Sequence, residues 1–152
     1  MSETTGFVDD YLAYLLARAS HLISSEFHAV VEASGLSLME WRVMASLSGK
    51  DALSVGELAD IVLAKQPTVT KLVGRMAEAG WLQRSDAAHD KRQSLVRLTP
   101  LGRRKVKPLL AQAQAHEAAV LAEVMTELGA VEVRQFKRVL ERMIAARSHA
   151  QA

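Results

Sequence analysis

The 152-residue chain has no cysteine, only three prolines, and few aromatic residues, which make up 5% of the sequence. The absence of cysteine excludes a disulfide scaffold, a thiolate metal site, a cysteine nucleophile and a cysteine redox sensor. No apolar run approaches the roughly 18 residues that a membrane span needs, and the acidic start MSETTGFVDD does not resemble a signal peptide. We therefore expect a soluble cytoplasmic protein that does not act at a membrane.

Motifs of enzymes and metal sites are also missing. The chain has no glycine-rich phosphate loop, no His-Glu-x-x-His and no serine nucleophile motif. Its five histidines are scattered, and only His21 and His28 share a helix face. A histidine pair of this kind is more often a surface feature than a ligand pair. We predict a protein without catalytic activity, cofactor or bound metal.

Charge is distributed unevenly along a chain whose net charge is only +2. Residues 65–107 contain eleven Lys and Arg against three Asp and Glu, a net charge of +8. The residues outside this segment include eight basic and fourteen acidic side chains, a net charge of −6. This segregation indicates that one face of the protein meets a polyanion. The alternative is that the basic stretch is an ordinary solvated surface.

Helical patterns dominate the first half of the chain. Apolar residues recur every three or four positions over residues 7–33, which predicts a long amphipathic helix. Ser37 and Ser54 are each followed three residues later by glutamate, which predicts capping boxes at the starts of a second and a third helix. A fourth helix begins at Gln66-Pro67 and ends at Gly80.

The pattern changes after Gly80. Residues 81–85 and 94–98 are short β-like runs joined by a polar loop, which predicts a hairpin. Thr99-Pro100 starts a long fifth helix that Pro108 should bend, and Gly129 separates it from a sixth. The fold class is mainly α with a small β-hairpin wing (α+β): a winged helix-turn-helix over residues 37–99, between dimerisation helices in 1–36 and 100–152.

The fourth helix has the features of a DNA recognition helix. Its apolar residues form a buried face, namely Val69, Leu72, Val73 and Met76. The outward residues are small, hydroxylic or basic, and with the helix start they form a predicted DNA contact set: Gln66, Pro67, Thr68, Thr70, Lys71 and Arg75. Such a face taken alone is weak evidence, but it lies within the basic segment and directly before the hairpin.

The hairpin adds a second predicted contact. Arg84 and Lys91 are predicted to touch DNA, and Arg92 near the tip is predicted to enter a minor groove. Asp90 would be repelled by phosphate, so we assign it to supporting Arg92 by a charge-assisted hydrogen bond. The alternative for Asp90 is an ordinary turn residue.

Several of these segments resemble the MarR family of bacterial transcriptional regulators. The resemblance rests on Leu58-Ala59 through Arg75-Met76, Gly80-Trp81-Leu82, Arg84, Asp90-Lys91-Arg92, Leu98-Thr99 and Gly102. It implies a homodimer that binds a pseudo-palindromic operator, usually as a repressor, and a small-molecule pocket whose ligand releases the DNA. The Gln66-Pro67-Thr68 opening resembles regulators of aromatic-acid catabolism. The candidate pocket residues are Arg18, His21 and Arg42, and each has the alternative of a salt-bridge or snorkelling role.

Dimerisation also follows from the residues themselves, because the long terminal helices carry apolar stripes that the winged unit alone does not need. Packing them against a second copy would also place two recognition helices about 34 Å apart. A rival function remains for the fold, since a winged-helix module can bind proteins without binding DNA.

Overall fold

The computed structural model describes residues 6–86 and 94–148. In these ranges the chain forms six α-helices and three short strands, preceded by a 3-10 turn at Phe7–Asp9. The elements are α1 (Leu12–Ala33), α2 (Leu38–Leu47), β1 (Leu53–Ser54), α3 (Val55–Val62), α4 (Gln66–Glu78), β2 (Leu82–Asp86), β3 (Ser94–Leu98), α5 (Pro100–Met125) and α6 (Ala130–Ser148). The predicted fold class, mainly α with a small β wing, is confirmed.

Both predicted capping boxes are present. At the start of α2, the Glu40 N–H donates to Ser37 Oγ at 3.2 Å, and the Ser37 N–H donates to Glu40 Oε2 at 2.7 Å. Ser54 and Glu57 make the same pair of bonds at the start of α3. Each box satisfies two backbone amides that a helix start leaves without partners, so these helix starts are encoded locally.

The first helix is shorter than its apolar pattern predicts. The pattern begins at residue 7, but α1 begins at Leu12. The preceding residues form a separate turn in which the Gly6 N–H donates to the Asp9 carboxylate at 2.8 Å. Asp10 then leaves helical geometry, with φ −117° and ψ 0°. The non-helical backbone at Asp10 therefore separates this turn from α1.

The hairpin belongs to a three-stranded antiparallel sheet with the order β1-β3-β2. Arg84 pairs with Val96 across β2 and β3, and Leu82 pairs with Leu98. The strand β1, in which Leu53 pairs with Val96, was not predicted from the sequence. A two-residue strand is too short to show a period of two, so only its pairing with β3 reveals it.

The chain forms two compact units, one up to Ala113 and one from Gln114 onward. The core of the first unit takes residues from all of its helices and strands, and its fully enclosed side chains include Val31, Met44, Leu47, Leu58, Val69, Met76, Val96, Val106 and Leu109. In the second unit Lys137 on α6 pairs with Glu117 on α5. The predicted division into residues 1–36, 37–99 and 100–152 assigns roles to segments and stays a prediction.

The long fifth helix continues through its internal proline. Thr99 precedes the helix as predicted, and α5 runs from Pro100 to Met125 with Pro108 inside it. The expected bend at Pro108 stays a prediction. Across residues 6–86 and 94–148, none of the helices combines the length and apolar character needed to cross a bilayer.

Candidate nucleic-acid interface

The helix α4 divides cleanly into a buried and an exposed face. Its four predicted core residues are all buried: Val69, Leu72, Val73 and Met76. The six predicted DNA contacts on this helix are all exposed: Gln66, Pro67, Thr68, Thr70, Lys71 and Arg75. Thirteen residues make a rod about 20 Å long, which suits a major groove about 12 Å wide. The core therefore holds α4 with its polar face outward.

The start of α4 has no side-chain cap, and Lys65 is the N-cap residue. The Thr70 hydroxyl donates to the Gln66 carbonyl at 2.9 Å. Its proton is therefore already used, and Thr70 can approach DNA only as an acceptor or through its methyl group. Pro67 has no N–H, and the Thr68 N–H donates to the Lys65 carbonyl at 3.0 Å, so side chains supply most of the donors at this end of the helix.

An unusual backbone conformation joins α3 to α4. Leu63 ends α3 with φ 58° and ψ 45°, and it is 88% exposed. The left-handed region costs a leucine roughly 1–2 kcal/mol relative to ordinary helix geometry. Leu63 sets the turn between the two helices. The sequence did not predict its left-handed conformation, because the usual residue at a left-handed helix end is glycine.

The wing places Arg84 on the side of the sheet that faces the helices. Arg84 lies opposite Val96, and the buried Leu82 shares its face two residues earlier. The Arg84 Nε–H donates to Ser94 Oγ at 3.2 Å. The predicted wing-tip contacts Lys91 and Arg92, with the supporting Asp90, lie outside the described residues.

A polar cleft of about 380 Å³ lies where α3, α4 and the wing meet. It brings together three of the predicted DNA contacts, Gln66, Thr70 and Arg84. The other lining residues are Ser54, Val55, Gly56 and Ser94. The sequence predicted no DNA contact at any of these four, and Ser54 was predicted only as a helix cap, because segments far apart in sequence meet only after folding.

Glu57 directly follows the cleft residue Gly56, and its carboxylate is part of the capping box at the start of α3. Hydrogen bonds from the Ser54 N–H, at 2.7 Å, and from the Ser54 hydroxyl, at 2.8 Å, lower the pKa of the Glu57 carboxyl. The charged cap stabilises the fold above the usual glutamate pKa, and that stabilisation is lost as the pH falls through the lowered value. Glu57 therefore has a structural role.

A compact joint connects α5 to the turn before the wing. The Thr99 hydroxyl donates to the Gly80 carbonyl at 2.6 Å and accepts from the Gly102 N–H at 3.0 Å. The Thr99 N–H donates to the Trp81 carbonyl at 3.0 Å. A Cβ added at Gly102 would lie 2.1 Å from that carbonyl oxygen. The Leu98-Thr99-x-x-Gly102 pattern is therefore a packing requirement.

The three predicted effector contacts are all exposed. Arg18 and His21 lie on α1, and Arg42 lies on α2 beside the half-buried Trp41, whose ring centroid is 5.4 Å from that of Phe27. A separate pocket of about 240 Å³ contains none of the three, and its lining residues are Ser48, Gly49, Leu98, Arg103, Val106, Lys107 and Leu110. Among the described residues, His, Asp and Glu side chains form no cluster suited to a metal ion.

Comparison with known proteins identifies the family. Residues 34–93 match the sequence profile of the MarR family. A helix-turn-helix transcriptional repressor of Mycobacterium tuberculosis is 32% identical over 139 residues, which cover 91% of this chain and 97% of the repressor. The homoprotocatechuate degradative operon repressor of Escherichia coli is 25% identical over 136 residues, covering 90% of this chain and 89% of its own.

Solved structures share the fold. A MarR family regulator from Silicibacter pomeroyi superposes with a TM-score of 0.80 at 35% identity, covering 91% of this chain and 98% of its own. NadR in complex with 4-hydroxyphenylacetate has a TM-score of 0.75 at 17% identity, and the match covers 95% of this chain and 96% of NadR. MepR in the S. aureus MepR–DNA complex has a TM-score of 0.70 at 20% identity, and the match covers 90% of this chain and 98% of MepR. Fold and sequence together show that the chain belongs to the MarR family of DNA-binding transcriptional regulators, which is not a family of enzymes.

Proposed function

We propose that this regulator is a homodimeric repressor that places one α4 helix of each copy in successive major grooves of a pseudo-palindromic operator. The observation that carries the proposal is the exposed face of α4, which is polar or basic over its first three turns. Acting on bacterial DNA places the protein in the cytoplasm. The rival role of a protein-interaction module loses its support, because the family consists of DNA-binding regulators.

The exposed face of α4 divides into flanks with different tasks. At 3.6 residues per turn, Gln66 and Thr70 lie on the flank toward the wing, and Thr68 and Arg75 lie on the other flank. Lys71 and Gly74 lie between them. Arginine in a major groove reads guanine, while lysine contacts either guanine or phosphate. We therefore assign Arg75 to base recognition and Lys71 to the centre of the helix–groove contact.

Substitutions on α4 test this assignment. Arg75→Ala and Lys71→Ala are each expected to weaken binding about tenfold, because each removes a charged contact to the groove. The measurement is fluorescence anisotropy on a duplex that the wild-type protein selects from a randomised library. Arg142→Ala on α6 removes the same charge outside the basic segment and serves as the control. Affinities of both α4 variants equal to that of the control would refute the proposal.

The dimer proposal rests on apolar side chains that each unit leaves in solvent. On α1 the exposed residues include Leu12, Leu15, Leu22 and Ile23. On α6 they include Phe136, Val139 and Ile144. Monomeric proteins rarely expose large contiguous apolar surfaces, and a second copy of the chain is the partner that the family implies.

For the effector we propose a small aromatic carboxylate that releases the protein from DNA. A relative represses a homoprotocatechuate degradative operon, and a protein of the same fold binds 4-hydroxyphenylacetate. Arg42 follows Trp41 on α2, so this helix supplies a cation for the carboxylate and an aromatic side chain for the ligand ring. Arg18 and His21 on α1 supply further polar groups.

Thermal unfolding tests the effector class. A ligand at 100 times its Kd stabilises the native state by about 2.7 kcal/mol, so 4-hydroxyphenylacetate or benzoate at millimolar concentration is expected to raise the Tm by several degrees. The methyl esters of both acids, which lack the charge, are the ligand controls. The Arg42→Gln variant is expected to lose the shift. If no aromatic acid at millimolar concentration raises the Tm, the proposed class is wrong.

A further inference from the structure

The polar cleft lined by Ser54, Gly56, Gln66, Thr70, Arg84 and Ser94 lies between α4 and the wing. With α4 in a major groove and the wing in the adjacent minor groove, the sugar–phosphate strand that separates the grooves passes between α4 and the wing. The cleft occupies this place. We infer that it seats one backbone phosphate, an inference that rests on the proposed function.

The cleft has the chemistry of a phosphate seat. The Ser94 hydroxyl oxygen accepts the Nε–H of Arg84, which orients the guanidinium and leaves its two terminal nitrogens free to donate. The Ser94 hydroxyl proton and the Gln66 side-chain amide are further donors facing the same space. Among the residues that the structure describes, no Asp or Glu side chain lines the cleft. Its volume of about 380 Å³ exceeds that of several waters at about 30 Å³ each, so the phosphate enters with part of its hydration.

A glycine keeps the cleft open. Gly56 lies in the first turn of α3, where glycine weakens a helix relative to alanine. A Cβ added at Gly56 would meet only Ser54 Oγ, at 3.9 Å, so packing does not require glycine at this position. Gly56 also does not adopt a positive φ. The missing side chain instead leaves room on the wall of the cleft, which is what a bulky phosphodiester needs.

The test compares two arginines of the wing. Arg84→Gln and Arg97→Gln remove the same charge from neighbouring strands, but Arg97 pairs with Gln83 and lies on the other face of the sheet. The probe is a 30-base-pair duplex of random sequence, because backbone contacts do not depend on sequence. Arg84→Gln is expected to lower the slope of log K against log salt by about 1 and to weaken binding about fivefold at 0.15 M salt. Arg97→Gln is expected to change neither; equal effects of the two variants would overturn the inference.

Gly56→Ala gives an independent measurement. Its thermal stability is expected to equal or exceed that of the wild type, while its affinity for random and selected duplexes falls by the same factor. Unchanged affinity in a stable Gly56→Ala variant would overturn the proposed cleft.

Replacing single DNA phosphates with neutral methylphosphonates can locate the phosphate that Arg84 contacts. A selected duplex with one methylphosphonate at a time is expected to show, in each half-site, one position where wild-type binding drops and Arg84→Gln binding does not. If every position affects both proteins alike, the phosphate does not sit at Arg84. A wild-type protein that binds no duplex would refute the proposed function itself. DNA binding that is sensitive to Arg75 but not selectively to Arg84 would refute only the phosphate seat.

Discussion

Replacing Gly102 with alanine is expected to lower the free energy of unfolding by about 3 kcal/mol or more, a large part of the 5–15 kcal/mol typical of a small protein. The added Cβ would lie 2.1 Å from the Trp81 carbonyl oxygen and 3.0 Å from its carbon. Both are backbone atoms, and that oxygen also accepts the Thr99 N–H at 3.0 Å. Relief of the clash therefore requires α5 to move away from the turn that starts the wing.

Urea unfolding followed by circular dichroism measures this effect. Gly74→Ala is the matched control, because a Cβ there meets nothing within 4 Å and alanine is the better helix former. That variant is expected to be about as stable as the wild type, or up to about 1 kcal/mol more stable. A Gly102→Ala protein whose stability differs from the wild type by less than about 0.5 kcal/mol, the range of neutral surface changes, would contradict the prediction.

Introducing one charge into the exposed apolar stripe of either long terminal helix is expected to separate the dimer and abolish tight operator binding. Leu22 is 56% exposed on α1 and Phe136 is 55% exposed on α6. A glutamate at either position is hydrated in a monomer but would lose its hydration in a dimer interface. Because two linked modules gain about 10²–10⁴ in affinity over one, the loss of the partner is expected to cost a factor in that range.

Sedimentation velocity and anisotropy on a selected palindromic duplex measure both parts of this prediction. Ala17→Glu is the control for Leu22→Glu, because Ala17 is also exposed on α1 and lies about 140° around the helix from Leu22. It is expected to remain a dimer and to bind like the wild type. Two outcomes would argue against the proposed interface: Leu22→Glu and Phe136→Glu proteins that both stay dimeric, or a monomeric variant that keeps full affinity.

The winged unit was predictable in its local features. The capping boxes at Ser37 and Ser54 and the buried face of α4 appear in the structure where the sequence places them. Gly80 adopts a positive φ at the end of α4, as a helix stop should. These features depend on residues within about one helical turn of each other, so the sequence alone carries them.

Other features depend on segments that meet only in the folded protein. The short strand β1 exists because it pairs with β3, about 40 residues later. The apolar pattern from residue 7 did not reveal that a separate turn, in which the Gly6 N–H donates to the Asp9 carboxylate, precedes α1. Leu63 adopts a left-handed conformation that its residue type does not favour, and the packing of α3 and α4 on either side holds it there.

Local sequence was enough to predict the order of the six helices and the two hairpin strands, the basic character of residues 65–107 and, through the MarR-like motifs, the family. Hydrophobic period, capping residues and charge are all local properties of a chain. The folded structure was needed to show why Gly102 must be glycine and how Ser54, Gln66, Arg84 and Ser94 come to line one cleft. Both depend on distances between segments that are far apart in sequence, and packing of the core sets those distances.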